Sequence, residues 1–368
     1  MNEIPRSITE VTAAWLGHVL KADIASIEAT QIGQGVGLMG DIYQVSIVYA
    51  GSGGEGPENP ESPESPESVV VKLPSSFEEN RQQGVTLGMF EAEIRFYNDL
   101  APRVSAGLPE IYFTRIIPGT ADFVIVMEDL THLTLVSQSA GMSFKQALAA
   151  VKVLAGIHSV WWNQARVPEL EWISSMIGPR IEYVDQLLEQ ICPVFEAGFG
   201  QYLPVGGMDL YQQFAGNYLR INTELAQRSP WTIAHQDYRV ENLLFGEQTG
   251  QVVVIDWQGI GRGPGVYDLA YLLGGSMEIS LRRAHENELV NAYHAQLVES
   301  GVTDYSFTQA WDDYCFAHLQ GGLATSMVTG GTMDLSNQRG LELLATMAER
   351  HVTAALDHDG LSRLSQLS

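Results

Sequence analysis

Residues 233–258 read Ile-Ala-His-Gln-Asp-Tyr-Arg-Val-Glu-Asn-Leu-Leu-Phe-Gly-Glu-Gln-Thr-Gly-Gln-Val-Val-Val-Ile-Asp-Trp-Gln. Leu243, Leu244 and Phe245 form a short apolar run. Residues 247–250 carry a turn signal, and residues 252–255 are a β-branched run that suits a buried strand. The stretch therefore predicts a loop, a strand, a turn and a second strand. Asp237, Asn242 and Asp256 stand at the ends of these strands. A hairpin of this length brings its ends together, so two carboxylates and one amide oxygen are expected to converge. Taken singly, each has an ordinary explanation: Asp237 and Asn242 suit turns, and Asp256 can cap a strand.

Oxygen donors of this kind suit Mg²⁺, which keeps several waters and needs few protein ligands beside substrate phosphates. A second carboxylate, off the metal, can orient a substrate hydroxyl or take its proton. Protein kinases carry H-R-D-x-x-x-x-N followed by a metal-binding D-F-G. Here the same positions read His235-Gln236-Asp237, Asn242 and Asp256-Trp257-Gln258. The stretch resembles the protein-kinase-like small-molecule phosphotransferases: aminoglycoside phosphotransferases, choline kinases and, most closely, the ecdysteroid-kinase-like group, which tends to show Asp-Phe-Gln. The resemblance runs over about residues 32–273 and is strongest over 233–273. Gln236 stands where these families usually have Gly, and Trp257 replaces Phe; neither change removes a catalytic atom. The resemblance implies an α+β, two-lobed protein-kinase-like fold. An antiparallel-sheet N-lobe would span residues 1–130 and a mainly helical C-lobe residues 131–368, with ATP between them. It also implies Asp237 as base or hydroxyl-positioning residue, with Asn242 and Asp256 holding Mg²⁺.

Upstream, Gly35-Val36-Gly37-Leu38-Met39-Gly40 matches G-x-G-x-x-G. A dinucleotide-binding reading needs a helix directly after the loop. Residues 41–49 instead alternate and are β-branched, so they predict a strand. A glycine loop between two strands is the kinase-type flap over ATP phosphates, and Gly35, Gly37 and Gly40 become candidate phosphate contacts. A flexible hairpin turn is the alternative. Residues 69–74 then form a strand containing Lys72, in a chain whose other lysines are Lys21, Lys145 and Lys152. Lysine is rarely buried without a partner. The kinase pattern puts the ATP-phosphate lysine on this strand and pairs it with a glutamate on the next helix, expected over residues 88–100. Glu93 matches that glutamate, and Glu91, on another helix face, is its rival. Residues 111–115 and 123–127 predict two more strands. The resemblance makes the segment after them a hinge, whose main chain near Glu128 and Leu130 would contact adenine.

At 368 residues, with 45% hydrophobic and 17% charged residues, the chain suits a globular enzyme of one large or two modest domains. It holds no apolar run long enough to span a membrane, and its first residues lack an apolar signal core. Cys192 and Cys315 make neither a disulfide framework nor a metal pattern and read as packing residues, so cytoplasm is expected. A formal net charge of −24 makes nucleic acid and anionic membranes poor partners. That charge either attracts a cationic substrate or serves solubility.

Elsewhere the expectations are structural. Residues 7–20 predict a helix with Ser7 and Glu10 as a capping box, and residues 143–163 one opened by Ser143 and Gln146. His158 on the second helix reads as structural. The Pro-Glu-Ser repeat in residues 51–68 predicts a disordered insertion within a hairpin. Residues 165–230 read as helices without a chemical signature. Residues 261–265, Gly-Arg-Gly-Pro-Gly, are far shorter than a protein-kinase activation loop, which argues for a small-molecule acceptor. Asp268 opens a helix; the resemblance makes it the brace of the catalytic loop, and N-capping is the compatible alternative. Residues 281–368 predict helices with a break at Gly330-Gly331, and Asp312 and Asp313 either face the acceptor or lie on a solvated face.

The combined expectation is an ATP- and Mg²⁺-dependent phosphotransferase acting on a hydroxyl of a small molecule. An apolar, steroid-like alcohol is slightly favoured over an aminoglycoside- or choline-type amine. Two rivals remain: a catalytically inactive nucleotide-binding module of the same fold, and an NAD-dependent oxidoreductase built on the glycine loop.

Overall fold

A computed structural model describes residues 4–33, 39–51, 66–246, 250–333 and 338–367. The chain divides into two compact units, residues 1–133 with 256–258, and residues 134–255 with 259–368. A single boundary after residue 130 therefore misses one exchange: Asp256–Gln258 belongs with the first unit. The side chains explain why. Asp256 bonds Lys72, and Trp257 stacks face to face on Phe96, centroids 3.7 Å apart at 6°.

The first unit begins with α1 (Ala13–Leu20), which starts later than the Ser7/Glu10 pattern predicts. Ser7 Oγ meets Thr9 Oγ1, and the Glu10 carboxylate reaches back to the Arg6 amide, so no capping box forms there. Thr12 caps α1 instead, accepting from the Trp15 amide at 3.1 Å. Strands β1 (Ile24–Ile32), β2 (Gly40–Tyr49) and β3 (Ser68–Pro74) follow, then α2 (Glu78–Thr86), α3 (Met89–Arg95), β4 (Ile111–Ile116) and β5 (Phe123–Glu128). Past Arg95 the helix predicted over 88–100 continues as a π-helical turn, Phe96–Leu100. The sheet has the order β1-β2-β3-β5-β4, antiparallel throughout.

Alternation along β3 sets the site. Val69, Val71 and Leu73 join Val45, Ile47, Val124, Val126 and Leu16 in one core. Lys72 therefore points to the opposite face, where its register neighbours are Ile42 and Ile125. Of the segment predicted disordered, residues 52–65 lie outside the described residues. Its end is part of the sheet: the Glu67 carbonyl accepts from Ile47, and Ser68 opens β3.

The second unit holds β6 (Thr134–Leu135), α4 (Phe144–Ser159), β7 (Ser174–Ser175), α5 (Pro179–Phe199), α6 (Gly207–Phe214), α7 (Tyr218–Arg228) and β8 (Trp231–Ala234). Next come β9 (Leu243–Phe245), β10 (Val252–Val254), β11 (Gly261–Pro264), α8 (Val266–Ser276), α9 (Ile279–Glu299), α10 (Phe307–Ala317), α11 (Gly321–Thr332), α12 (Gln338–Asp357) and α13 (Gly360–Ser365). The capping box of Ser143 and Gln146 opens α4 as expected. The decisive hairpin forms, with Leu243 opposite Val254 and Phe245 opposite Val252. Residues 261–264 form a strand without strand propensity, because β8 pairs with them on one side and β7 on the other.

Gly330 and Gly331 do not break a helix; α11 runs through both. A Cβ on Gly330 would stand 2.7 Å from Phe195, and one on Gly331 2.0 Å from Ile191. The glycines thus let α11 lie against α5. No helix among the described residues is long and apolar enough to cross a membrane. Cys192 and Cys315 are buried and unbridged.

Candidate functional site

In the first unit, Lys72 is the centre of a charged cluster. Its Nζ donates to Glu93 Oε1 at 3.0 Å, to Glu93 Oε2 at 2.8 Å and to Asp256 Oδ1 at 3.0 Å. The side chains of Lys72 and Glu93 are 8% and 1% exposed, whereas that of Asp256 is 38% exposed. Burial alone would push the Lys72 ammonium towards neutrality, but Asp256 and Glu93 outweigh it and hold the amine charged. Burial raises the pKa of Glu93, with Lys72 opposing the shift. Glu91, the rival partner, instead accepts from the Gly119 amide at 2.6 Å. Asp256 has φ +66°, a left-handed conformation that Asp tolerates better than most residues. Such backbone strain is concentrated at functional positions.

Gly35 and Gly37 lie outside the described residues. Gly40 opens β2 opposite Pro74, and a Cβ there would stand 2.9 Å from the Leu73 carbonyl and 3.4 Å from Lys72 Cε. Gly40 is therefore required by the close approach of the Leu73 backbone, beside the Lys72 stem. At the segment expected to be a hinge, the Glu128 amide donates to the Glu110 carbonyl, and the carbonyl of buried Leu130 accepts from the Leu133 amide. Between them Asp129 accepts from Gln44, Ser68 and Thr131. Partial burial would raise its pKa, yet these donors hold it down to about 2. Sequence reading passed over Asp129, although an Asp followed two residues later by Thr is a local turn signal.

In the second unit, β8 delivers the loop 235–242 and α8 holds it. Asp268, fully buried in the first turn of α8, accepts from the His235 amide at 2.6 Å and from the Gln236 amide at 2.9 Å. Its Oδ2 also meets His158 Nε2 at 3.2 Å, and His158 Nδ1 meets the Tyr293 hydroxyl at 2.8 Å. His158 is thus engaged through both nitrogens. His235 Nδ1 accepts from the Asp237 amide, while Nε2 lies 3.0 Å from the Ile255 carbonyl. A neutral ring protonated on Nε2 satisfies both.

Asn242 Nδ2 donates to the Asp237 carbonyl at 2.8 Å and to the Asp237 carboxylate at 2.9 Å. Fixing Nδ2 makes Oδ1 the atom that Asn242 can present to a cation. Arg239 lies 3.3 Å from the Asp237 carboxylate and also pairs with Glu241. Burial works against the Arg239 charge, but Asp237, Tyr271 and Glu241 raise its pKa. Asp237 keeps 39% of its side chain exposed. Asp312 lies on the more open side of α10, its side chain 48% exposed, whereas Asp313 is buried. Asp312 pairs with Arg228 and Arg363, while buried Asp313 accepts from the Tyr305 hydroxyl at 3.0 Å.

Residues 34–303 match the ecdysteroid kinase-like family. The chain belongs to that family. This ecdysteroid kinase-like chain is similar in structure to a choline kinase from Cryptosporidium parvum Iowa II, at 12% identity and a TM-score of 0.60, over 96% of this chain and 98% of that one. It is also similar to a putative aminoglycoside phosphotransferase from Ralstonia eutropha JMP134, at 15% identity and a TM-score of 0.54, over 94% and 97%. At such identities the likeness is one of fold, and the fold is kinase-like. An uncharacterized kinase-like protein from Caenorhabditis elegans is 21% identical over 256 residues, which cover 66% of this chain. The chain spans 65% of that relative's length.

Two parts of the ecdysteroid kinase-like site carry no role in the sequence reading. Arg239 sits inside the quoted motif, two residues after Asp237, and its position was the available signal. Ser276 ends α8, and its hydroxyl accepts from the Val240 amide at 3.1 Å and from Gln138 Nε2 at 3.1 Å. A serine at the end of an apolar helix gives no such signal.

Proposed function

We propose that this ecdysteroid kinase-like chain transfers the γ-phosphoryl group of ATP to a hydroxyl of a small molecule. The observation that carries the proposal is the buried Lys72 held between Glu93 and Asp256. A lysine kept charged in a buried strand, with a partly exposed carboxylate at its tip, is poised to trade that carboxylate for phosphate. In this reading Lys72 neutralises the α/β-phosphates and Glu93 keeps it in place. The Glu128 carbonyl and the Leu130 amide are the main-chain groups assigned to adenine. Gly35, Gly37 and Gly40 are assigned to the phosphates.

Asp256 and Asn242 offer hard oxygens of the type Mg²⁺ prefers and are assigned to hold it. When bound, the ion spreads the charge of the β- and γ-phosphates. Asp237, held by Asn242 and lying beside Arg239, orients the acceptor hydroxyl and draws its proton. Catalysis on this reading is positioning and charge stabilisation. The family match favours an apolar, steroid-like alcohol as acceptor. A second reading, a cationic amino alcohol, is supported by the net charge of −24.

The test is a thermal-shift titration with Mg²⁺ and ATP, followed by transfer from labelled ATP to panels of apolar and cationic alcohols. A Mg²⁺-dependent rise in melting temperature, lost in Asp256→Ala, supports the nucleotide assignment. A wild-type protein that ignores Mg-ATP and binds NAD would sink it. Nucleotide binding without transfer to any acceptor would leave an inactive nucleotide-binding module.

A further inference from the structure

Three helices of the second unit meet at a cluster that the proposed phosphotransfer leaves unused. Glu286 lies within α9, His318 follows α10, and His358 follows α12. Each offers a ligand atom, and these atoms all lie within 4.8 Å of one another. His318 is 4% exposed, and neither of its ring nitrogens has a hydrogen-bond partner. Burying an imidazole with both nitrogens unpaired costs free energy that a native fold rarely leaves uncompensated. The His318 ring lies parallel to that of His358, centroids 5.2 Å apart at 9°, and His358 Nε2 is 3.1 Å from Glu286 Oε2. Glu286 also takes Arg282 at 2.6 Å and the Tyr314 hydroxyl at 3.1 Å, both on Oε2. That convergence leaves Oε1 as the oxygen that can turn to a further partner.

We propose that Glu286, His318 and His358 form a binding site for a divalent transition-metal cation of the zinc type. Two imidazoles and one carboxylate match Zn²⁺ or Co²⁺, whereas Mg²⁺ and Ca²⁺ select all-oxygen sets. Metal–ligand bonds of about 2.0–2.2 Å set ligand atoms within the 4.8 Å span of this cluster, so modest side-chain rotation suffices to close it. Arg282, which also pairs with Asp357, stays on Oε2 and fixes the carboxylate's orientation. Water or the Tyr314 hydroxyl completes the fourth position. The ion would tie α9 to the ends of α10 and α12, so its role is to staple the helical unit. None of the three ligands is assigned to nucleotide or acceptor.

The experiment uses full-length protein stripped with a chelator and titrated calorimetrically with Zn²⁺ while excess Mg²⁺ occupies hard-oxygen sites. The expected result is about one Zn²⁺ per chain and a raised melting temperature. His318→Gln and His358→Gln should each weaken Zn²⁺ by about tenfold or more, while Asp256→Ala binds as wild type. Co²⁺ bound to wild type should give the intense visible absorption of a four-coordinate site, a readout that needs no variant to fold. Absence of stoichiometric Zn²⁺, a weak six-coordinate Co²⁺ spectrum, unchanged affinity in both histidine variants, or loss of binding in Asp256→Ala alone each overturns the proposal.

Discussion

Asp268 and Ser276 lie at opposite ends of α8 and hold opposite ends of one loop. Asp268 accepts from the amides of His235 and Gln236, and Ser276 from the amide of Val240. The segment carrying Asp237 is thus pinned at both sides by a single buried helix, while the bonds from Asn242 to Asp237 hold it from within. Ser276→Ala should leave the Val240 amide unpaired in the interior, at about 1–3 kcal/mol. If Asp237 is catalytic, kcat should fall while the Mg-ATP KM holds. Equal losses in both, or in neither, would detach this pin from Asp237. Denaturant unfolding and steady-state kinetics on one preparation supply the two readouts.

Asp237→Ala is expected to abolish phosphoryl transfer and spare nucleotide binding. Arg239 keeps Glu241 as a partner in that variant, so the loop should remain folded. Thermal shift with Mg-ATP would report the retained binding, and single-turnover transfer the lost chemistry. Normal turnover would remove Asp237 from the mechanism.

Lys72 and Glu93 make a buried pair, so cutting one partner differs from cutting both. Glu93→Ala leaves Lys72 with Asp256 alone, and a broken buried pair costs about 3–5 kcal/mol. Lys72→Met with Glu93→Leu removes both charges and should cost clearly less than Glu93→Ala. Both proteins should lose Mg-ATP binding. An additive double-mutant cycle from urea unfolding would show that the pair is not coupled.

What the sequence conveyed depended on whether the cause was local. The hairpin of β9 and β10 was legible because a β-branched run and a turn signal lie side by side. Lys72 was legible because a lone lysine in an apolar strand demands a partner. The Ser143–Gln146 capping box opened its helix because both halves lie in one turn, whereas Ser7 and Glu10 were drawn to Thr9 and Arg6. Helix α2 was missed because Glu-Glu-Asn-Arg-Gln-Gln-Gly-Val-Thr has no apolar stripe; ties from Glu78 to Arg81 and Gln82 support it instead. The capture of residues 256–258 by the first unit and the glycine contacts of α11 are tertiary facts. No window of neighbouring residues encodes them.

Gln236 has φ +66°, where the resemblance leads one to expect glycine. A side chain in the left-handed region costs roughly 1–2 kcal/mol, and glycine avoids that cost. Gln236→Gly should therefore stabilise the protein by about 1 kcal/mol without loss of activity, since the Asp268 contact uses the backbone amide. A destabilised or inactive variant would mean that the carboxamide itself matters to the site.

Stability should fall as the pH drops below about 6.5, and His351 should carry part of that fall. Burial, aided by Arg350, pushes its pKa down to about 3. Its Nε2 has no hydrogen-bond partner, and its ring packs near Tyr271. Between pH 3 and 6.5 the unfolded chain binds a proton at this residue and the folded chain does not, so acid favours unfolding. One proton corresponds to a slope of about 1.4 kcal/mol per pH unit; above the unfolded pKa of His351 that contribution to the slope vanishes. His351→Phe removes the titrating group while keeping an aromatic ring. Its unfolding free energy should thus depend less steeply on pH between 4 and 6 than that of wild type. Chemical denaturation across that range tests the point, and parallel wild-type and variant curves would show that His351 is protonated in the folded protein.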